Sequence, residues 1–252
     1  WPDKAFVQQV AAQMPWFHNC VVIDRLKDPA QREWYIRKTI EHGWSRNILV
    51  HQIESNLHGR QGQALTNFSS VLPEPQSELA QGILKDPYVF DFLSLGDDIS
   101  ERRLHQGLLE HLRAFLLELG VGFAFVGSEY HLEIGGQDFY VDLLFYHLRL
   151  RCYVVIELKV CDFEPEFAGK MSFYLAAVDD LLRNPDDQPS IGIILCKTRD
   201  RIIVEYALRD NNKPIGVADY QLAASLPERL QDSLPTVERL EKELRSAPPV
   251  VN

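Results

Sequence analysis

Two strongly apolar runs, Tyr140 to Tyr146 and Cys152 to Leu158, stand close together past the middle of the chain, separated by a short polar connection around Arg149. They are rich in Val, Ile, Tyr and Phe, the residue types that fill pleated, buried strands, and they predict a β-hairpin. Upstream, Val121 to Val126 and Glu129 to Ile134 read as two further strands joined around Gly127-Ser128, with Gly135-Gly136 as the turn into the hairpin. Before them, Leu104, Leu108, Leu112, Phe115 and Leu119 recur at helical spacing and predict a core helix from Ser100 to Leu119, stopped by Gly120. Downstream, Glu164-Pro165-Glu166 suits a helix start and the apolar spacing continues to Arg183. Ile191 to Cys196 is a continuous apolar run of the kind buried on both faces of a sheet. Asp200 can cap a helix to Leu208, and Ile215 to Tyr220 supplies a last strand. Strand, helix, strand of this length implies a parallel right-handed crossover.

The pattern of residues 1 to 97 is mainly helical. Lys4 to Met14 is a short amphipathic candidate ended by Pro15, and Trp16 to Leu26 follows as a mixed apolar segment. Asp28-Pro29 starts a helix running to about Glu41, with Asp as N-cap and Pro in the first turn. His42-Gly43-Trp44-Ser45 breaks it, and Ser45 can cap a second helix through Ile48, Leu49, Gln52, Ile53 and Leu57. Helix, Gly-containing turn, helix is the layout of a helix-turn-helix, whose second helix carries Arg46, Asn47, His51 and Gln52 as side chains able to reach DNA. A helical hairpin that only packs, its polar residues solvated, gives the same pattern. Gly59 to Pro75 reads as a loop without phosphate-loop spacing. The expected division is a helical domain over 1–97, an α/β domain over 98–222 and a tail over 223–252 with a short helix from Val237 to Leu244.

At 252 residues and 46% hydrophobic, the chain can bury a substantial core. Its net charge of -10 argues against a protein that coats nucleic acid electrostatically, because phosphate binding relies on Lys and Arg. Local basic stretches remain possible, and Arg25, Lys27, Arg32, Arg37 and Lys38 form the densest one in the first half. Cys20, Cys152, Cys161 and Cys196 show no paired spacing and read as buried thiols of a cytoplasmic protein. No apolar run reaches the roughly 18 residues of a membrane-spanning helix. No signal peptide is visible, although a start at Trp1 rather than Met makes that weak evidence on targeting.

The candidate chemistry lies where acidic residues interrupt the two apolar runs. A turn centred near Arg149 and Leu150 places Asp142 roughly opposite Glu157, and Glu157 and Lys159 share a face because residues two apart in a strand do. A carboxylate buried in a sheet is costly unless paired, hydrogen-bonded or bound to a metal. Asp142, Glu157 and the carbonyl of Leu158 suit a hard cation such as Mg²⁺, with Mn²⁺ as substitute. Lys159 beside it can orient an attacking water or neutralise charge developing on a phosphate. A structural Asp–Lys ion pair without chemistry is the bland alternative. Glu129 lies near the turn and suits either an approach to the cation or a solvated strand end.

An Asp, a gap of about fifteen residues and Glu-x-Lys after an apolar strand resembles the PD-(D/E)xK nuclease signature. Together with Phe123-Ala-Phe-Val-Gly127, Gly135-Gly136, Ala168-Gly-Lys-Met-Ser-Phe-Tyr174, Ile191 to Lys197 and Pro214 to Ala218, it resembles the bacterial YhcG-type nucleases. The resemblance implies a restriction-endonuclease-like mixed sheet flanked by helices, preceded by a helical N-terminal region. It implies Mg²⁺-dependent hydrolysis of DNA, with Asp142, Glu157 and Lys159 as the catalytic set and a further Glu on the preceding helix: Glu110, or Glu118 in its place. Lys170 and Tyr174, four apart on one helix face, are candidates for the phosphate backbone, Lys donating charge and Tyr a hydroxyl; related RecB-like nucleases carry Gln-x-x-x-Tyr here, and this chain departs from that motif with Lys170 in place of Gln. A homodimer, restriction-system partners, mobile-element defence and action on branched DNA are further implications of the resemblance. The competing expectation is a catalytically silent DNA-binding or assembly module that keeps the fold as scaffold; RNA as substrate also stays open.

Overall fold

The computed structural model describes residues 11–93 and 99–222. Most of the expected 4–14 helix, the Gly96–Asp98 boundary and the Val237–Leu244 helix lie outside them; Ala11–Gln13 forms a 3₁₀ turn. The helices are α1 (Trp16–Arg25), α2 (Pro29–His42), α3 (Arg46–Glu54), α4 (Leu57–Arg60), α5 (Phe68–Val71), α6 (Gln76–Ile83), α7 (Glu101–Glu110), α8 (Leu112–Leu119), α9 (Pro165–Leu181) and α10 (Arg201–Arg209). The strands are β1 (Leu65–Thr66), β2 (Tyr88–Phe90), β3 (Phe123–Ile134), β4 (Gln137–His147), β5 (Cys152–Leu158), β6 (Ile191–Cys196) and β7 (Ile215–Leu222).

The strands form one mixed sheet in the order β1-β7-β6-β5-β4-β3, with β2 also pairing β7. β3, β4 and β5 are antiparallel, and β5, β6 and β7 run parallel through the crossover helices α9 and α10. One face of the sheet buries α5 to α8 around Phe68, Phe90, Phe115 and Phe145. The other buries α9 and α10 around Met171, Leu175, Val178 and Val204. Such a sheet covered on both faces explains why β6 is buried at all six positions.

Local chemistry sets most boundaries. Asp28 caps α2 by accepting from the Ala30 and Gln31 amides, and Gly43 ends it at φ 61°. Ser45 accepts from Ile48 N to cap α3, and Asp200 accepts from Ile202 N and Ile203 N to cap α10. Helix 100–119 is broken at His111, whose ring Nδ1 donates to the Gly107 carbonyl at 3.1 Å, so α7 and α8 are separate elements. The two strands expected over 121–134 are one continuous strand, β3, whose register shifts between Phe125 and Gly127 and which carries Glu129 at φ 44°. A bulge keeps both halves paired to β4 where the sequence reads as a turn.

Residues 61–93, expected to be loop and lead-in, contribute to the sheet. Leu65–Thr66 pairs antiparallel with β7, and Tyr88–Phe90 pairs in parallel further along the same strand. Phe68, Leu84, Tyr88 and Phe90 belong to the main core, whereas Val22, Tyr35, Ile36, Leu49 and Leu57 form a separate helical core. The two hydrophobic cores thus divide between Leu57 and Ala64, and the two- and three-residue strands that follow carry too little pattern to be read from sequence.

Candidate active site

The β4–β5 register decides whether Asp142 and Glu157 meet. Leu143 pairs with Ile156, so Asp142 and Glu157 are the next facing positions. There Asp142 leaves regular pairing and its Oδ2 accepts the Leu158 amide at 2.9 Å. Its backbone carbonyl accepts His105 Nε2–H at 3.1 Å, which ties α7 to the same point of β4. Glu157 is only 2% exposed. Its Oε2 takes Lys170 Nζ at 2.8 Å and Lys159 Nζ at 3.8 Å, while Oε1 is buried without a donor. Burial first, and the neighbouring Asp142 carboxylate second, push the Glu157 carboxyl above its usual range.

Lys159 continues from β5, its amide donating to the Leu195 carbonyl of β6 at 2.8 Å. Its Nζ donates to the Leu158 carbonyl at 3.1 Å and lies 3.4 Å from Glu101 Oε1 and over the Phe167 ring. The expected trio Asp142, Glu157 and Lys159 is thus brought together, with the Leu158 carbonyl at the same strand end. Among the described residues no group of three or more His, Cys, Asp or Glu side chains is arranged to hold a metal ion. The donor set on offer is instead two carboxylates and a carbonyl, which suits a hard cation that keeps several waters and binds substrate phosphate. The donorless Glu157 Oε1 fits such a cation.

Other expected residues fall elsewhere. Glu110 is exposed at the far end of α7 and accepts from Gln106 Nε2 at 3.1 Å, about 13 Å along the helix from Glu101. Glu118, its substitute, is 2% exposed but pairs with Arg60 at 2.6 Å and Lys85 at 3.6 Å and accepts the Val89 amide. Burial opposes its ionisation, but Lys85 and Arg60 hold its carboxyl below the usual range. Glu118 is a structural anchor. The helix carboxylate that reaches the site is Glu101, which sequence spacing had not singled out. Glu129 is exposed on β3 beyond the bulge, at φ 44°, between the Ser128–Leu143 and Tyr130–Val141 pairs and so across from the Asp142 position.

Tyr174 is 4% exposed and its hydroxyl donates to the Tyr140 carbonyl at 2.8 Å, so that hydroxyl is committed to β4 rather than free for a phosphate. Lys170 lies over the Tyr174 ring and is bound to Glu157. Burial works against its charge, but the Glu157 hydrogen bond and charge raise the ammonium pKa overall.

On α3, Arg46 and Asn47 are exposed, and His51 faces Asp91 at 3.6 Å. Gln52 is 2% exposed within the helical core and cannot reach a base edge. The basic stretch is largely answered by acids: Arg25 pairs with Glu54, Arg37 with Glu33 and Lys38 with Glu41. Cys152 and Cys196 are buried as expected, whereas Cys161 is exposed just past β5. No helix among the described residues is long and apolar enough to cross a membrane.

Comparison with known proteins agrees with the motif. A family model described as the YhcG PDDEXK nuclease domain matches residues 81–235, and one described as the DUF1016 N-terminal domain matches residues 1–60. The chain is 35% identical over 214 residues to YhcG of Escherichia coli (strain K12), which carries the name of a nuclease. The match covers 83% of this chain and 56% of that relative's length. Two solved structures match about half of this chain at low similarity. One is a repair endonuclease from Pyrococcus abyssi, at 14% identity and TM-score 0.33 over 51% of this chain and 49% of that one. The other is an EndoMS–dsDNA2 complex, at 16% identity and TM-score 0.33 over 52% and 46%.

Proposed function

The chain belongs to the YhcG PDDEXK nuclease family, and from that premise we propose that it hydrolyses DNA phosphodiester bonds with the help of a divalent cation, Mg²⁺ or Mn²⁺ in its place. The observation that carries this reading is the meeting of Asp142, Glu157 and Lys159 at the end of β5, with one buried Glu157 oxygen lacking a donor.

Asp142, Glu157 and the Leu158 carbonyl would hold the cation. When bound it would supply positive charge that acidifies water and stabilises the negative charge developing on the phosphate and leaving-group oxygens. The Asp142 carboxylate is oriented by the Leu158 amide, and its strand is held by His105. Lys159 Nζ, fixed between the Leu158 carbonyl and Glu101, is placed to orient the attacking water or to donate to a phosphate oxygen. Glu101 keeps the Lys159 ammonium at the site when substrate is absent.

Arg46 and Asn47, both exposed on α3, are the proposed nucleic-acid contacts of the helical unit. The wider proposal is a cytoplasmic enzyme acting as a dimer in restriction, mobile-element defence or processing of branched DNA. Cleavage of supercoiled, linear and branched DNA by the native chain, Asp142→Ala and Lys159→Ala tests the reading. Metal-dependent cutting lost in both variants is the expected result. No cutting of any DNA, with DNA binding equal in all three proteins, would leave the fold as a scaffold.

A further inference from the structure

The resting charge balance of the site points to a second role for α9, and the inference rests on the reading of Asp142 and Glu157 as cation ligands. α9 is fixed against the sheet at two places. Tyr174 hydrogen-bonds the Tyr140 carbonyl, and Met171 packs against Gly192, where a Cβ would come within 2.5 Å of its Sδ. This anchoring presents Lys170 Nζ to Glu157 Oε2 at 2.8 Å. The two lysines beside Glu157 differ in freedom: the Lys159 side chain is 11% exposed, the Lys170 side chain 45%. Lys170 therefore has room to swing outward, and Lys159 has little.

We propose that Lys170 is a built-in counter-cation that occupies Glu157 while the site is empty and gives way to the divalent cation, then takes a phosphate oxygen of the arriving substrate. Asp142, Glu157 and Glu101 against Lys159 and Lys170 leave the ionised site at minus one. A divalent cation alone turns it to plus one, and one backbone phosphodiester returns it to neutral. Cation and substrate thus each improve the site for the other, which is a coupling between two ligands rather than a structural ion pair.

The test is calorimetric titration of Mn²⁺ into the native chain, Lys170→Gln, Lys170→Arg and Glu157→Gln, with and without a phosphorothioate duplex that resists cleavage. Without DNA, Lys170→Gln should bind Mn²⁺ at least about tenfold more tightly than the native chain, because a like charge is removed from beside the ligand. Lys170→Arg should stay near native. The duplex should tighten Mn²⁺ binding to the native chain, and several-fold less so to Lys170→Gln. Equal or weaker Mn²⁺ binding by Lys170→Gln would overturn the inference. The failure of the underlying reading looks different: Glu157→Gln would then bind Mn²⁺ as well as the native chain does. Loss in Glu157→Gln with no gain in Lys170→Gln sinks only the role of Lys170.

Discussion

Single side chains separate chemistry from architecture in this molecule. Asp142 and Glu157 sit side by side at the strand end, and Glu157→Gln should lower cleavage about 100-fold or more while leaving folding intact, measured as initial rate against the urea midpoint. Glu118 is the opposite case. It is the acid of a buried cluster with Arg60 and Lys85, so Glu118→Gln leaves two buried cations short of a partner. Urea denaturation should show a loss of about 3–5 kcal/mol. His147 is fully buried, with Nδ1 accepting the Leu150 amide, and burial pushes its pKa down to about 4. The unfolded chain takes up this proton first, near the ordinary histidine value of about 6.5. Its contribution to stability is therefore complete above that value and falls as pH drops toward 4, and His147→Gln should flatten the urea-midpoint profile across that interval. Asp142, Glu157 and Lys159 were legible because strand alternation and a short turn fix their relative place within one hairpin. Glu101 was not, since it joins Lys159 across 58 residues through the docking angle of α7. The burial of Gln52 was not legible, because a polar residue on a helix gives no sign of it.

At the level of elements, the position of α9 follows from what β6 lacks. Gly192 leaves space for Met171 and Leu175, and Gly192→Val would force them away from the sheet. Overpacking of this kind costs about 1–3 kcal/mol, and circular dichroism melts should register it as a lower Tm. Tyr174→Phe removes the hydroxyl that donates to the Tyr140 carbonyl and also contacts Lys170, so the expected loss is about 1 kcal/mol. Long, strongly patterned elements such as β4, β5, β6 and α9 were legible in the apolar runs. The break at His111 was hidden because the apolar spacing runs through it unchanged, and the β3 bulge because Gly127-Ser128 also suits a turn. β1 and β2 are too short to show periodicity and exist only through pairing with β7.

Across the whole molecule, charged contacts join the helical unit to the sheet-bearing part: Arg60 to Glu118 on α8, and Glu41 to Arg149 on the β4–β5 turn at 2.9 Å. A net charge of -10 leaves the proposed DNA binding to local basic groups, and Lys170 and Arg46 are the ones the proposal assigns to it. The division between the two hydrophobic cores near residue 60 was not legible, because the segment after it contributes two short strands to a sheet formed mostly from residues beyond 120. The most direct test of the central claim is nicking of a supercoiled plasmid by the native chain and Glu157→Gln, each with Mn²⁺ and with chelator. The account predicts relaxed or linear product only from the native chain with Mn²⁺; equal cutting by Glu157→Gln, or cutting that survives the chelator, would contradict it.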